Sequence, residues 1–194
     1  VSLRDTLIAG GLRHAAALPV LPPALDPSGL QVKQQFQPVR KFIWAGRLVQ
    51  EKGPALALAA AARLKARGVA LQLDFYGIAE PSERKAFRAQ IEQADLSDCV
   101  QMQGIRPGEL LSIYAQYDAF LFTGCCNDPF PITPLEAMLC GLPCILAEAG
   151  GIVEAVQDGE TALLFAAGDA DALAEAMQRM MDFADGGAHL SRAC

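Results

Sequence analysis

The chain has 194 residues, with 16 Lys or Arg against 22 Asp or Glu, giving a formal net charge of −6 when both histidines are neutral. That acidic balance argues against nucleic-acid binding through bulk charge, and a hydrophobic content of 52% excludes an intrinsically disordered chain. No uncharged apolar run approaches the roughly 18 residues of a membrane span, and with an acidic balance and no basic stripe, membrane association is not indicated.

Six cysteines (Cys99, Cys125, Cys126, Cys140, Cys144 and Cys194) form no C-x-x-C pair and point to a reducing, cytoplasmic compartment. His14 and His189 stand at no metal-ligand spacing, so no metal site is expected. The chain starts at Val1 without a signal-peptide layout, and residues are expected upstream.

Residues 1–37 carry Pro19, Pro22, Pro23 and Pro27, and only Leu3 to Leu12 reads as a possible helix. They are assigned as an interdomain linker or the tail of a missing preceding domain, with residues 38–194 forming one domain. There, short apolar runs alternate with longer amphipathic ones, the pattern of βαβ units around a parallel sheet. The expected strands are Val39 to Ala45, Val69 to Tyr76, Cys99 to Gln103, Ala119 to Phe122, Pro143 to Ala147 and Ala162 to Phe165. Expected helices are Pro54 to Ala66, Ser82 to Ala94, Gly108 to Gln116, Pro134 to Cys140, Ile152 to Gln157 and Asp169 to Phe183. The fold class is therefore α/β: a parallel sheet of about six strands with helices on both faces.

Open parallel sheets bind ligands beyond the carboxyl ends of their strands. No G-x-G-x-x-G follows a strand, and neither G-x-x-x-x-G-K-[ST] nor G-x-S-x-G occurs. Asp169-Ala170-Asp171 matches a D-x-D pattern, but it opens the last helix, where acidic side chains cap free N–H groups.

Two loops carry chemistry. After the first strand, Arg47 and Lys52 flank a turn into a helix. They read either as an anion site, with helix N–H groups adding donors, or as solvated charges partnered by Glu51. After the fourth strand, Asp128 and Glu136 bracket a turn into another helix. Thr133-Pro134-Leu135-Glu136 reads as a capping box, with Thr133 at N-cap and Glu136 at N3. The competing reading gives Glu136 to the vicinal diol of a ribose, two donors facing two acceptor oxygens.

Taken in order, Gly46-Arg47-Leu48 with Lys52-Gly53, Tyr76-Gly77, Val100 to Gly104, Asp128 to Glu136 and Gly141-Leu142-Pro143 resemble the carboxyl-terminal half of GT-B-fold glycosyltransferases. Gly150 to Val156, Asp158-Gly159 and Leu163-Leu164-Phe165 continue the series, which is similar to the retaining group called glycosyltransferase family 4. The resemblance implies a Rossmann-like domain binding a nucleotide-diphosphate sugar, with no cofactor and no metal. It implies that Arg47 and Lys52 hold the diphosphate and offset the charge that grows as the glycosidic bond breaks.

Asp128 and Glu136 stand at the ends of the E-x7-E motif, the first toward donor-sugar hydroxyls and the second toward the ribose. The resemblance also implies that backbone at Gly104, Ile105 and Arg106 lines the base, and that amides around Phe130, Ile132 and Thr133 approach the sugar and phosphates. By the same resemblance, Arg47, Lys52 and Asp128 are expected to carry the catalytic roles. Transfer with retention then needs an amino-terminal acceptor-binding domain, so the fragment is expected to be inactive alone.

Two departures stand out. Asp128 replaces a glutamate, drawing its carboxylate back by about 1.5 Å. Pro131 replaces a glycine, removing an N–H and fixing φ near −65°. The alternatives are a GT-B nucleotide-sugar epimerase or phosphorylase half, or a non-catalytic nucleotide-sugar-binding or scaffold module with a decayed site.

Overall fold

The computed structural model describes residues 30–104, 109–125 and 131–192. Six parallel strands form one sheet in the order β3-β2-β1-β4-β5-β6. They are β1 (Lys41–Arg47), β2 (Gln72–Ile78), β3 (Val100–Gln103), β4 (Ala119–Phe122), β5 (Cys144–Ala147) and β6 (Leu163–Phe165). All residues of β4 and β5 are buried, as central strands covered on both faces require.

Successive side chains alternate between two cores. On one face Phe42, Trp44, Phe75 and Leu121 meet α1 (Pro54–Ala66), α2 (Pro81–Gln93) and α5 (Ala170–Asp182) through Leu58, Phe87 and Met177. On the other, Ile43, Phe120 and Leu146 pack with Leu110 and Leu111 of α3 (Leu110–Ile113), with Tyr114 of the 3-10 turn Tyr114–Gln116, and with Ala137 of α4 (Ile132–Leu139). Among the described residues no helix is long and apolar enough to cross a membrane.

Several boundaries differ from the sequence reading, each for a local reason. The β1 strand runs Lys41–Arg47 rather than from Val39, because the Asp118 carboxylate takes the amides of Arg40 and Lys41 at 3.0 and 2.9 Å. The shift makes Arg47 the last strand residue instead of a loop residue.

Val69 belongs to the end of α1 and not to β2. Gly68, at φ +75°, donates its amide to Lys65 O and Val69 donates to Leu64 O, a Schellman ending. The helix expected over Ile152 to Gln157 is instead a 3-10 turn at Gly150–Glu154. The chain turns early there, with the Gln157 amide on Thr161 Oγ1 and Asp158 bridging Ala162.

The start of the helix expected at Gly108 lies outside the described residues. Its remainder is α3 followed by the 3-10 turn. A short helix, α6 (Ala188–Arg192), was not expected. Asp169 does cap α5, accepting from the amides of Asp171 and Ala172 at 2.8 and 3.0 Å, while Asp171 pairs with Arg63 of α1.

Residues 30–40 form neither helix nor strand and are held on the domain. The Lys33 amide donates to Cys140 O at 2.8 Å, and its ammonium donates to Tyr117 O at 2.6 Å, 3.7 Å from Asp118. Burial pushes the Lys33 pKa down, and Asp118 partly offsets this. Since Asp118 is 4% exposed and satisfies two amides and an ammonium, Asp118→Ala is expected to cost about 3 kcal/mol in urea unfolding.

Candidate functional site

The strand order reverses between β1 and β4, and the crevice at such a switch point is where open α/β sheets bind ligands. The two loops singled out from the sequence are those leaving β1 and β4, so the topology brings them side by side.

At the end of β1, Arg47 is exposed, with no hydrogen-bond or ion-pair partner for its guanidinium among the described residues; the loop that follows starts at Leu48. It then makes a 3-10 turn, Gln50–Lys52, closed by Lys52 N on Val49 O and Gly53 N on Gln50 O, both at 3.0 Å. Gly53 ends this turn at φ +67° and directly caps α1, with Pro54 at its first position. The conformation favours glycine, and the surroundings demand it: a Cβ at residue 53 would sit 2.1 Å from Thr123 O. The first turn of α1 contributes its dipole more than its donors, because Pro54 has no N–H and the Leu56 and Ala57 amides turn to Gly53 O.

The β4 loop is stitched to the β1 loop by a residue the sequence reading missed. Thr123 is fully buried, and its hydroxyl accepts from the Trp44 indole N–H at 2.9 Å. That oxygen also lies 2.9 and 2.8 Å from Lys52 O and Gly53 O, to one of which it donates. The Cys125 amide donates to Glu51 O at 3.1 Å, adding a second link. The signal for Thr123 was available: the chain's one tryptophan lies inside a strand, and a buried indole N–H needs an acceptor.

The capping box over Thr133 to Glu136 does not form. Pro131, at φ −69° and ψ 130°, is the N-cap, so α4 begins at Ile132, with Thr133 and Pro134 in its first turn. Helix N-termini need no intrahelical N–H in that turn, which makes Pro134 acceptable there. No side chain caps the helix and its first turn is free of acidic residues. The early start moves Glu136 to the second turn, and the N-cap is Pro131, which has no N–H for a carboxylate to accept from, so Glu136 is not a structural cap.

Glu136 is half-buried, and burial pushes its carboxyl above the usual carboxylate range. The influence of the Tyr114 hydroxyl pulls it partly back. Tyr114, which falls in the helix expected over Gly108 to Gln116, is fully buried, and its own pKa is raised first by burial and then by the Glu136 charge.

Gly104 is exposed at the end of β3, with nothing within 4 Å of where a Cβ would stand. Ile132 is half exposed at the start of α4 and Thr133 is partly buried beside it. Ile105, Arg106, Asp128 and Phe130 lie outside the described residues. No cluster of three or more His, Cys, Asp or Glu suited to a metal ion occurs among the described residues.

The sequence profile of the family described as Glycosyl transferases group 1 matches residues 31–188. The chain belongs to this family. Among its relatives, WcaL of Salmonella typhimurium, named as a glycosyltransferase of colanic acid biosynthesis, is 36% identical over 140 residues, covering 69% of this chain and 34% of that protein. The D-inositol 3-phosphate glycosyltransferase of Paenarthrobacter aurescens is 29% identical over 175 residues, covering 84% and 43%.

Of the solved structures, Anabaena HepE in complex with UDP superposes with a TM-score of 0.72 at 25% identity, covering 80% of this chain and 43% of that one. The carboxyl-terminal domain of the group 1 protein LpcC from Francisella tularensis shares the fold, with a TM-score of 0.72 at 20% identity, covering 88% and 94%. The chain thus spans about a third of WcaL and two fifths of HepE. The six-stranded sheet is the Rossmann-like half of a GT-B fold.

Proposed function

We propose that this chain is the donor-binding half of a retaining glycosyltransferase of family 4, and that it takes a uridine-diphosphate sugar. The observation that carries this reading is the junction of the β1 and β4 loops at the topological switch point. There an exposed arginine with no partner among the described residues and a carboxylate released from capping duty share one edge of the sheet. The UDP bound by HepE supports the choice of nucleotide.

In this reading Arg47 binds the diphosphate through its planar fork and Lys52 adds a point charge. Both stabilise the leaving nucleoside diphosphate as the bond to the sugar breaks, a role that needs no metal. Glu136 accepts from the ribose diol, and Ile132 and Thr133, at the uncapped N-terminus of α4, present amides to the phosphates or sugar. Asp128 faces the sugar hydroxyls. The acceptor sits on an amino-terminal domain, in keeping with the share of the relatives that this chain spans.

Product analysis with the chain that includes this domain tests the proposal. Transfer from UDP-sugar to an acceptor with retained anomeric configuration, unchanged by EDTA, is expected, and the 194-residue chain alone should not transfer. Inverted product, or epimerisation without an acceptor, contradicts it.

A further inference from the structure

Of the large apolar side chains exposed among the described residues, Ile78 is the most exposed, at 66%. An isolated exposed isoleucine is ordinary on a protein surface, but this one stands at the crevice. Ile78 is the last residue of β2 and is in register with Arg47, the last residue of β1. Side chains two apart on a strand share a face. Ala45 and Tyr76 belong to the core that contains Leu135 and Ala137 of α4, so Arg47 and Ile78 stand on that same face.

Neighbouring strands lie about 4.8 Å apart, so Ile78 is one strand away from the proposed diphosphate arginine. On its other side is β3, where Tyr76 is in register with Gln103 and Gly104 follows. Ile78 thus lies between the phosphate end and the base end of the proposed donor, on the face that carries Glu136.

The backbone beneath it is fixed from two directions. The Leu48 amide donates to Ile78 O at 3.2 Å, and the Arg84 guanidinium of α2 donates to Gly77 O at 2.9 Å. A Cβ at residue 77 would come within 2.7 Å of the Leu48 side chain, so Leu48 already fills the space against the strand end there. The isoleucine is therefore held outward over the crevice.

We propose that the Ile78 side chain is the apolar floor for the donor's nucleoside, packing against the flat face of the uracil ring. This rests on the donor-site reading above, and it adds the kind of contact that reading lacks, since Arg47, Lys52 and Glu136 meet phosphates and hydroxyls. A nucleobase carries its hydrogen-bonding groups on its edge and leaves its faces to aromatic or apolar side chains. Ligand sites likewise combine apolar area with a few polar groups that fix orientation. With Ile78 under the face, backbone at Gly104 is left to meet the edge.

Calorimetric titration of the 194-residue chain with UDP and, separately, with inorganic pyrophosphate tests this. Ile78→Ser should weaken UDP binding roughly five- to thirty-fold, the worth of covering most of one isoleucine side chain. Pyrophosphate affinity should stay that of the parent, and so should the urea unfolding midpoint, because the side chain is exposed. A second readout is the nuclear Overhauser effect between the Ile78 Cδ1 methyl and the uracil ring protons in the UDP-saturated, methyl-labelled parent, with Ile78→Val assigning the resonance. It needs no folded Ile78→Ser.

Unchanged UDP affinity in Ile78→Ser overturns the proposal. Equal weakening of UDP and pyrophosphate also overturns it, since the effect would then lie at the phosphates, and so does absence of the Overhauser contact. If UDP binding is lost in Arg47→Ala but kept in Ile78→Ser, the nucleoside contact fails while the donor-site reading stands. If the parent binds neither compound, the donor-site reading fails and the contact with it.

Discussion

Arg47→Ala weakens UDP binding by about thirty- to a hundred-fold, the loss of two charge-assisted hydrogen bonds to phosphate. The same substitution leaves urea unfolding within about 0.5 kcal/mol of the parent, because the guanidinium is exposed and has no partner among the described residues to lose. Arg47→Lys restores only part of the affinity, since an ammonium cannot match two phosphate oxygens with a planar fork. Binding also weakens as salt rises, since the cation is solvent-facing. Titration of the three proteins with UDP at two ionic strengths checks all of this. Equal affinity for Arg47→Ala and the parent contradicts the diphosphate role.

Gly53→Ala destabilises the domain by about 3 kcal/mol or more, combining left-handed backbone strain with a direct clash. The new Cβ would stand 2.1 Å from Thr123 O, so the β1 and β4 loops must part at the point where Thr123 joins them. UDP affinity falls together with stability. Gly68→Ala is the control, because Gly68 has a similar φ of +75° but nothing within 4 Å of its Cβ. It pays only the strain, about 1 kcal/mol. Urea unfolding of both variants separates the two effects, and equal losses would show that the close approach of the loops is unimportant.

Strands and helices were legible because buried parallel strands read as apolar runs, because α1 is a long alanine-rich helix former and because α5 is long and periodic. Ala119–Phe122 and Pro54–Ala66 fall where the sequence placed them. The errors lie where a distant partner decides. The start of β1 depends on Asp118, 77 residues away from Lys41. The course of the chain around Gln157 depends on the turn back into β6, which no helical period announces.

At the candidate site, Arg47 and Lys52 were legible as charges at a strand end, and the sheet order supplies the reason they matter. Glu136 was legible only as an ambiguity. Its local sequence satisfies the capping pattern, but Pro131 starts the helix early and removes that role. Thr123 was invisible as a site residue, since it acts through contacts made by folding. The net charge of −6 likewise conceals the two cations that the proposed phosphate site needs.

The most direct test of the central claim is calorimetric titration of the 194-residue chain with UDP, GDP and ADP and with a sugar ester of each. A donor half predicts saturable binding of UDP and a UDP-sugar, lost on charge reversal at Arg47. Absence of binding by all six compounds at millimolar concentration would contradict it.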